Sequence, residues 1–254
     1  MLKNILSGIQ AYFKTFQLIS KLKLWKYFGV PILISLLTAT AIGFLAWGLS
    51  DNIGAFISKI WFWEWGAETF RTISDVLGAL IIVAIGLILY KHIIMALSAP
   101  FMSPVSEKIE QHFSGTIHTH RNTSNTSQLW RGIRINVRNL LLELLFTIPI
   151  LLLSLIPIVN IFTSVLLFLV QSYYAGFGNM DYTLERHFTY RESISFVKRN
   201  KGTALGNGIV FMAMLLIPVV GIILVLPLSV TAASSETVKL LQKDMLLKQQ
   251  EINE

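Results

Sequence analysis

The sequence predicts an all-α integral membrane protein: two long transmembrane helices, two proline-broken re-entrant hairpins that insert partway, and an N-terminal amphipathic interfacial helix. Three observations predict it. Of 254 residues, 54% are hydrophobic and 14% charged, with a mean hydropathy of +0.62, whereas a soluble domain carries about a quarter charged residues. Three runs hold no charge at all, 27–50 (24 residues), 144–180 (37) and 202–235 (34), against the roughly 20 apolar residues a spanning helix needs. The last two runs share one interruption: LIPIVNI at 155–161 returns as LIPVVGI at 216–222, 61 positions later.

Taken in order, residues 1–26 place Leu2, Ile5, Leu6, Ile9, Phe13 and Phe16 at helical spacing among five lysines, the pattern of a helix lying in the bilayer interface. They lack a short apolar run ending at a small-residue cleavage site, so the first long run, 27–50, is read as a retained span. Residues 51–75 mix Asp51, Glu64, Glu68 and Asp75 with Trp61, Trp63 and Trp65, an aromatic belt at headgroup depth. Residues 76–101 span back, interrupted by Lys91 and His92. Residues 102–143 read as a cytoplasmic helical segment with a flexible loop, THRNTSNTS. The run 144–180 is too long for one span and short for two. Two half-helices of about 15 to 18 residues, roughly 22 to 27 Å each, would enter and return. The run 202–235 repeats the device, and 236–254 is a cytoplasmic tail.

Charge bias sets the orientation. Lys and Arg number five in 1–26, two in 51–75, six in 91–143 and five in 181–201. By the positive-inside rule only 51–75 lies outside, both termini are cytoplasmic, and both hairpins dip in from the cytoplasm. Pro157 and Pro218 then mark the tips, where unpaired backbone must be shielded by protein or face water. A kinked ordinary span or a full four-helix bundle is the competing reading.

Candidate chemistry is confined to a few places. Arg131, Arg134 and Arg138 stand at i, i+3 and i+7 ahead of the first hairpin, a basic face able to draw oxyanions toward the membrane. Lys198, Arg199 and Lys201 precede the second. Lipid phosphates and topology explain the same residues, and the net charge of +7, without nucleic acid. Half-helices starting after Asn160 and Gly221 would aim N-terminal amides at an anion; a capping Asn and a turn glycine are the plainer alternatives. Lys91 is an intramembrane ionisable candidate, with snorkelling as its alternative. Asp181, Glu185, Arg186 and His187, in DYTLERH, read as a structural polar cluster rather than a catalytic one. His118 and His120 lack further ligand partners, and with 0 Cys neither a metal site nor a thiol nucleophile is expected. No nucleotide motif is present, so no cofactor and no enzyme activity are expected.

Several stretches together resemble the CysZ sulfate permease family, the bacterial branch of the etoposide-induced-protein membrane family. They are APFMSPVSEKIE at 99–110, DYTLERH at 181–187 and GNGIVFMAMLLIPVVGIILVLPLSV at 206–230, in order and at the family's spacing. The resemblance implies a bacterial inner-membrane protein that assembles as a homo-oligomer and takes up sulfate, or a related oxyanion, for cysteine synthesis. It also implies an anion contact just before the first span, where the family's Gly-(Leu/Ile)-Arg-Arg stretch reads Lys23-Leu24-Trp25-Lys26 here. Thr183 stands where the family has proline, and Ala232-Ala233-Ser234 replaces its closing Gly-Ala-Thr. The competing function is a membrane-shaping scaffold whose hairpins wedge into one leaflet and whose basic faces grip anionic lipid.

Overall fold

The computed structural model describes residues 1–59, 66–115, 124–154 and 156–253, and among these the regular structure is entirely helical. The belt residues Trp61, Trp63 and Trp65, together with His118 and His120, lie outside the described residues. The helices are α1 (Leu2–Gln10), α2 (Thr15–Lys21), α3 (Gly29–Ser58), α4 (Ala67–Leu97), α5 (Ala99–Ser114), α6 (Asn125–Leu153), α7 (Pro157–Leu184), α8 (Tyr190–Arg199), α9 (Lys201–Leu215), α10 (Pro218–Ile223) and α11 (Val225–Asn253). Two 3₁₀ turns, Ala11–Lys14 and Leu24–Tyr27, join α1, α2 and α3.

Among the described residues, three helices are long and apolar enough to cross a membrane: Gly29–Leu49 within α3, Asn125–Leu153, and Val159–Leu184 within α7. The pair Ile85–Leu97 and Ala99–Ser114 also qualifies when taken together, bent by 66°. The bend has a local cause. Pro100 has no amide to donate back to α4 and fits only the opening turn of a new helix.

The first hairpin starts earlier than its charge-free run. α6 begins at Asn125 and carries Arg131, Arg134, Arg138 and Glu143 as helix, because each of these side chains meets a partner on a neighbouring element or residue. Its N-terminus is capped by the Ser124 hydroxyl, which accepts from the Ser127 amide. The break before α7 falls immediately ahead of Pro157, which occupies the first turn of α7 and needs no amide partner there. Pro218 opens α10 in the same way. Asn160 and Gly221 therefore lie inside α7 and α10, not at the helix starts the sequence suggested, because proline rather than the polar or small residue sets the boundary.

α3 packs along α4, α6 on α7, and α9 between α1 and α7, while α11 lies against α5, α7 and α9. Glycine makes the crossings of α9 with α7 and α1 possible: a Cβ on Gly208 would sit 1.6 Å from the Ser172 carbonyl oxygen on α7, and one on Gly206 2.1 Å from that of Ile5 on α1. Small residues that let backbones touch are how membrane helices associate where lipid supplies no hydrophobic drive. The buried core runs from Ile19, Leu24 and Phe28 through Met95 and Met102 to Phe211 and Leu226. A second cluster gathers Phe177, Leu184 and Phe196. Leu33, Leu37, Phe44 and Trp47 on α3 remain exposed, as do Leu152, Phe162 and Val165 around the first tip and Leu216 and Val219 around the second. In water such apolar faces would be untenable, and lipid is their natural contact.

Candidate functional site

The short turn before α3 is built around one unusual backbone. Lys23 has φ 53° and ψ 42°, the left-handed region that glycine occupies freely and that costs an L-residue roughly 1–2 kcal/mol. It is the described non-glycine residue with positive φ, and it stands where the resembled motif carries glycine. Leu24 is buried as an anchor. Trp25 donates from Nε1 to Ser20 Oγ at 3.3 Å and meets Phe16 and Phe28 edge-on. Lys26 lies over the Tyr27 ring, 5.2 Å from its centre. Lys23 and Lys26 are both exposed, so the turn presents two ammonium groups at the mouth of the first span.

A second group of charges is interior. Lys91 does not snorkel: it is 0% exposed and donates to Glu143 Oε1 at 2.7 Å, while His92 Nε2 lies 3.1 Å from Oε2 of the same carboxylate. Arg131 forks onto Asp181, with Nε to Oδ2 at 3.0 Å and Nη2 to Oδ1 at 2.9 Å, and also donates to the Phe188 carbonyl and Ser193 Oγ. Arg186 donates to Glu110 Oε2 at 2.8 Å through Nη2, and to Ser106 Oγ and the Tyr182 carbonyl through Nη1; His187 takes the other Glu110 oxygen at 2.6 Å. A buried charge is tolerated only when paired and hydrogen-bonded in this way. Ser103 donates to Glu185, which is 3% exposed. Burial, together with the neighbouring Asp181 charge, raises the Glu185 carboxyl to about 7 against the pull of the Ser103 hydrogen bond, Arg131 and Arg186.

The remaining sequence candidates fall elsewhere. The guanidinium of Arg134 stacks on Tyr190 at 4.0 Å, and that of Arg138 lies 5.3 Å from the Phe177 ring and donates to Asn139. The three arginines thus pin α6 to α7 and α8. Arg131, Arg134 and Glu185 share a cavity of about 150 Å³ with Trp130 and Tyr190. Asn160 is exposed and accepts from Ser164. Gly221 is buried at the second tip, where a Cβ would lie 2.8 Å from the Leu215 carbonyl oxygen. Pro157 and Pro218 open their helices, as described above. Sequence reasoning missed Glu110 and Glu143 as the partners that make Arg186 and Lys91 affordable in the interior. The available signal was the isolation of Glu143, the last charge before the 144–180 run, matching the isolation of Lys91. It also missed the bridge from Asn179 to Asn207 at 2.9 Å, on to the Ser229 carbonyl.

Several long apolar helices, a lipid-facing exterior and paired interior charges define a multi-helix membrane protein. The chain belongs to the family described as sulfate transporter CysZ/etoposide-induced protein 2.4, whose sequence model matches residues 11–225. No curated protein sequence matches it.

Proposed function

We propose that the chain is an anion permease of the bacterial inner membrane that takes up sulfate, or a related small oxyanion, in support of sulfur assimilation and cysteine synthesis. The observation that carries this reading is the match, over most of the chain, to the family described as sulfate transporter CysZ/etoposide-induced protein 2.4. The turn at Lys23, Leu24, Trp25 and Lys26 is its anion contact: two exposed ammonium groups on a left-handed backbone at the start of the first span. Transport requires neither a cofactor nor catalysis.

In this reading 1–26 lies in the interface, with Leu2, Leu6, Phe13 and Phe16 exposed toward lipid. Residues 27–50 and 76–101 span, and 102–143 with 236–254 face the cytoplasm. Residues 144–180 and 202–235 are re-entrant in this reading, which the apolar tips around Pro157 and Pro218 support, although α6 and α7, at 29 and 28 residues, are longer than the half-helices of about 15 to 18 residues expected from the run length. Asn160 supports oligomerisation: its carbonyl oxygen is met by Ser164, and its exposed amide nitrogen, among Ile161, Phe162 and Val165, is placed to donate to a second copy or into a water-filled path. The commitment of Arg131, Arg134 and Arg138 to contacts within the chain weakens that face both as an oxyanion entry and as the lipid grip of a scaffold, which then rests on the apolar tips alone. Labelled sulfate entering liposomes that hold the purified protein, above the leak of empty ones, is the expected result; its absence from well-folded protein favours the scaffold.

A further inference from the structure

A cleft of about 510 Å³ opens between the N-terminal helices, the end of α5 and α11, well within the 300–1,000 Å³ typical of ligand sites. Lys14, Lys21 and Lys239, with His112, come to its wall from four different elements. One carboxylate, Glu236, also lines it, but that group is 7% exposed and already engaged by the Ser7 hydroxyl and by Lys239 Nζ at 2.6 Å. Lys14 and Lys21 make no ion pair among the described residues. Their segment is held in place: Tyr12 donates to the Asn207 carbonyl at 2.9 Å, and Thr15, itself buried, donates to the Tyr12 carbonyl at 2.8 Å. Two unpaired ammonium groups on an anchored backbone, facing one walled space, leave an excess positive charge that a ligand can neutralise.

We infer that this cleft binds a phosphate group, carried by a phospholipid headgroup or present as the free ion. Lysine meets phosphate as a point charge, which suits an open cleft better than a fixed fork would. Leu6, Phe13 and Phe16 stand exposed on the same N-terminal segment, so a headgroup seated between Lys14 and Lys21 would have apolar surface beside it for its chains. The site is separate from the anion contact proposed above, because none of residues 23–26 lines the cleft. Its far wall, Ser235, Glu236 and Lys239, lies beyond the matched residues 11–225, while Lys14 and Lys21 lie within them.

The test uses the full chain in a neutral detergent, titrated with short-chain phosphatidic acid, with phosphatidylcholine of the same chain length, and with inorganic phosphate, binding being read by native mass spectrometry. Phosphatidic acid is expected to bind more tightly than phosphatidylcholine, and the Lys14→Gln/Lys21→Gln double variant to bind it at least tenfold more weakly, the loss of one or more charge-assisted contacts. Lys14→Arg/Lys21→Arg should retain binding. Gln17→Trp, which fills the cleft without removing a charge, should lose it. Binding of inorganic phosphate with the same dependence on Lys14 and Lys21 identifies the free ion as the ligand; binding of phosphatidic acid alone identifies the lipid. Three results overturn the site: neither probe binds, Gln17→Trp binds as wild type does, or Lys198→Gln/Lys201→Gln, outside the cleft, costs as much affinity as the cleft variant.

Discussion

The interior where α4 to α8 meet and the two hairpin tips are built on opposite principles. In the interior, Lys91, Arg131, Arg186, Glu110, Glu143 and Asp181 are withdrawn from solvent and matched charge for charge. At the tips, Leu152, Ile161, Phe162, Leu216 and Val219 are exposed and unpartnered within the chain. The first region is specified by side-chain pairing, whose loss leaves a buried charge. The second is specified by backbone rules, a proline at each helix start, and by a surrounding solvent that must be apolar. Substitutions should therefore hurt folding in the interior and leave it nearly untouched at the exposed tip side chains, but not at the buried Gly221, where a Cβ would press on the Leu215 backbone.

The largest expected effect comes from removing Arg186. Arg186→Leu leaves Glu110 with His187 as its ionic partner, and breaking a buried pair costs about 3 kcal/mol or more, which for a chain of this size lowers Tm by roughly 6–12 °C. A thermal melt in detergent checks it. A melt near that of wild type would mean the interior network is ornamental.

Next is Glu185, whose carboxyl is raised to about 7. Because its folded value exceeds the unfolded one of about 4.3, the folded state binds the proton more tightly. The associated stability is complete below the unfolded value and declines as pH rises toward and through 7. Glu185→Gln should remove that decline, so the variant gains on wild type between pH 5 and 8, by a few kcal/mol at most. Parallel pH profiles of Tm for the two proteins would contradict the assignment.

Lys23→Gly relieves a left-handed lysine and should stabilise by roughly 0.5–1 kcal/mol after glycine's own entropy cost, a small rise in Tm. The smallest change is expected at a tip. Ile161→Ala, at an exposed position, should shift stability by less than about 0.5 kcal/mol, and a large loss there would erase the contrast between the two regions.

Much of this division was legible in the sequence. Run lengths and the scarcity of charge gave a multi-helix membrane protein, and the repeated LIP motifs located both helix breaks to within a few residues. The start of α6 was not legible, because Arg131, Arg138 and Glu143 look like solvent-facing charge until α4, α7 and α8 are packed around them, and Arg134, which stays exposed, stacks on Tyr190. The same blindness hid the Lys91–Glu143 pair: 52 positions separate the two residues, and an isolated charge beside an apolar run does not name its partner. DYTLERH reads as polar cement, and the acid that its Arg186 and His187 meet, Glu110, lies in a different motif. Asn160 and Gly221 read as helix starts from their capping and turn propensities, but proline's preference for the first helical turn prevails and sets α7 and α10 to begin at Pro157 and Pro218.

Under the proposed function, the charged interior holds the fold while the tips and the Lys23–Lys26 turn serve the anion. Labelled sulfate flux into liposomes, measured for wild type, Asn160→Leu, Gly221→Leu and Lys23→Gln/Lys26→Gln beside each protein's melt and oligomer size, tests it most directly. The account predicts wild-type flux above empty liposomes, at least a tenfold loss of flux in the lysine double variant, and a clear loss in both tip variants, with oligomer size preserved throughout. Flux unchanged in all three variants, or no flux from well-folded wild type, would contradict it.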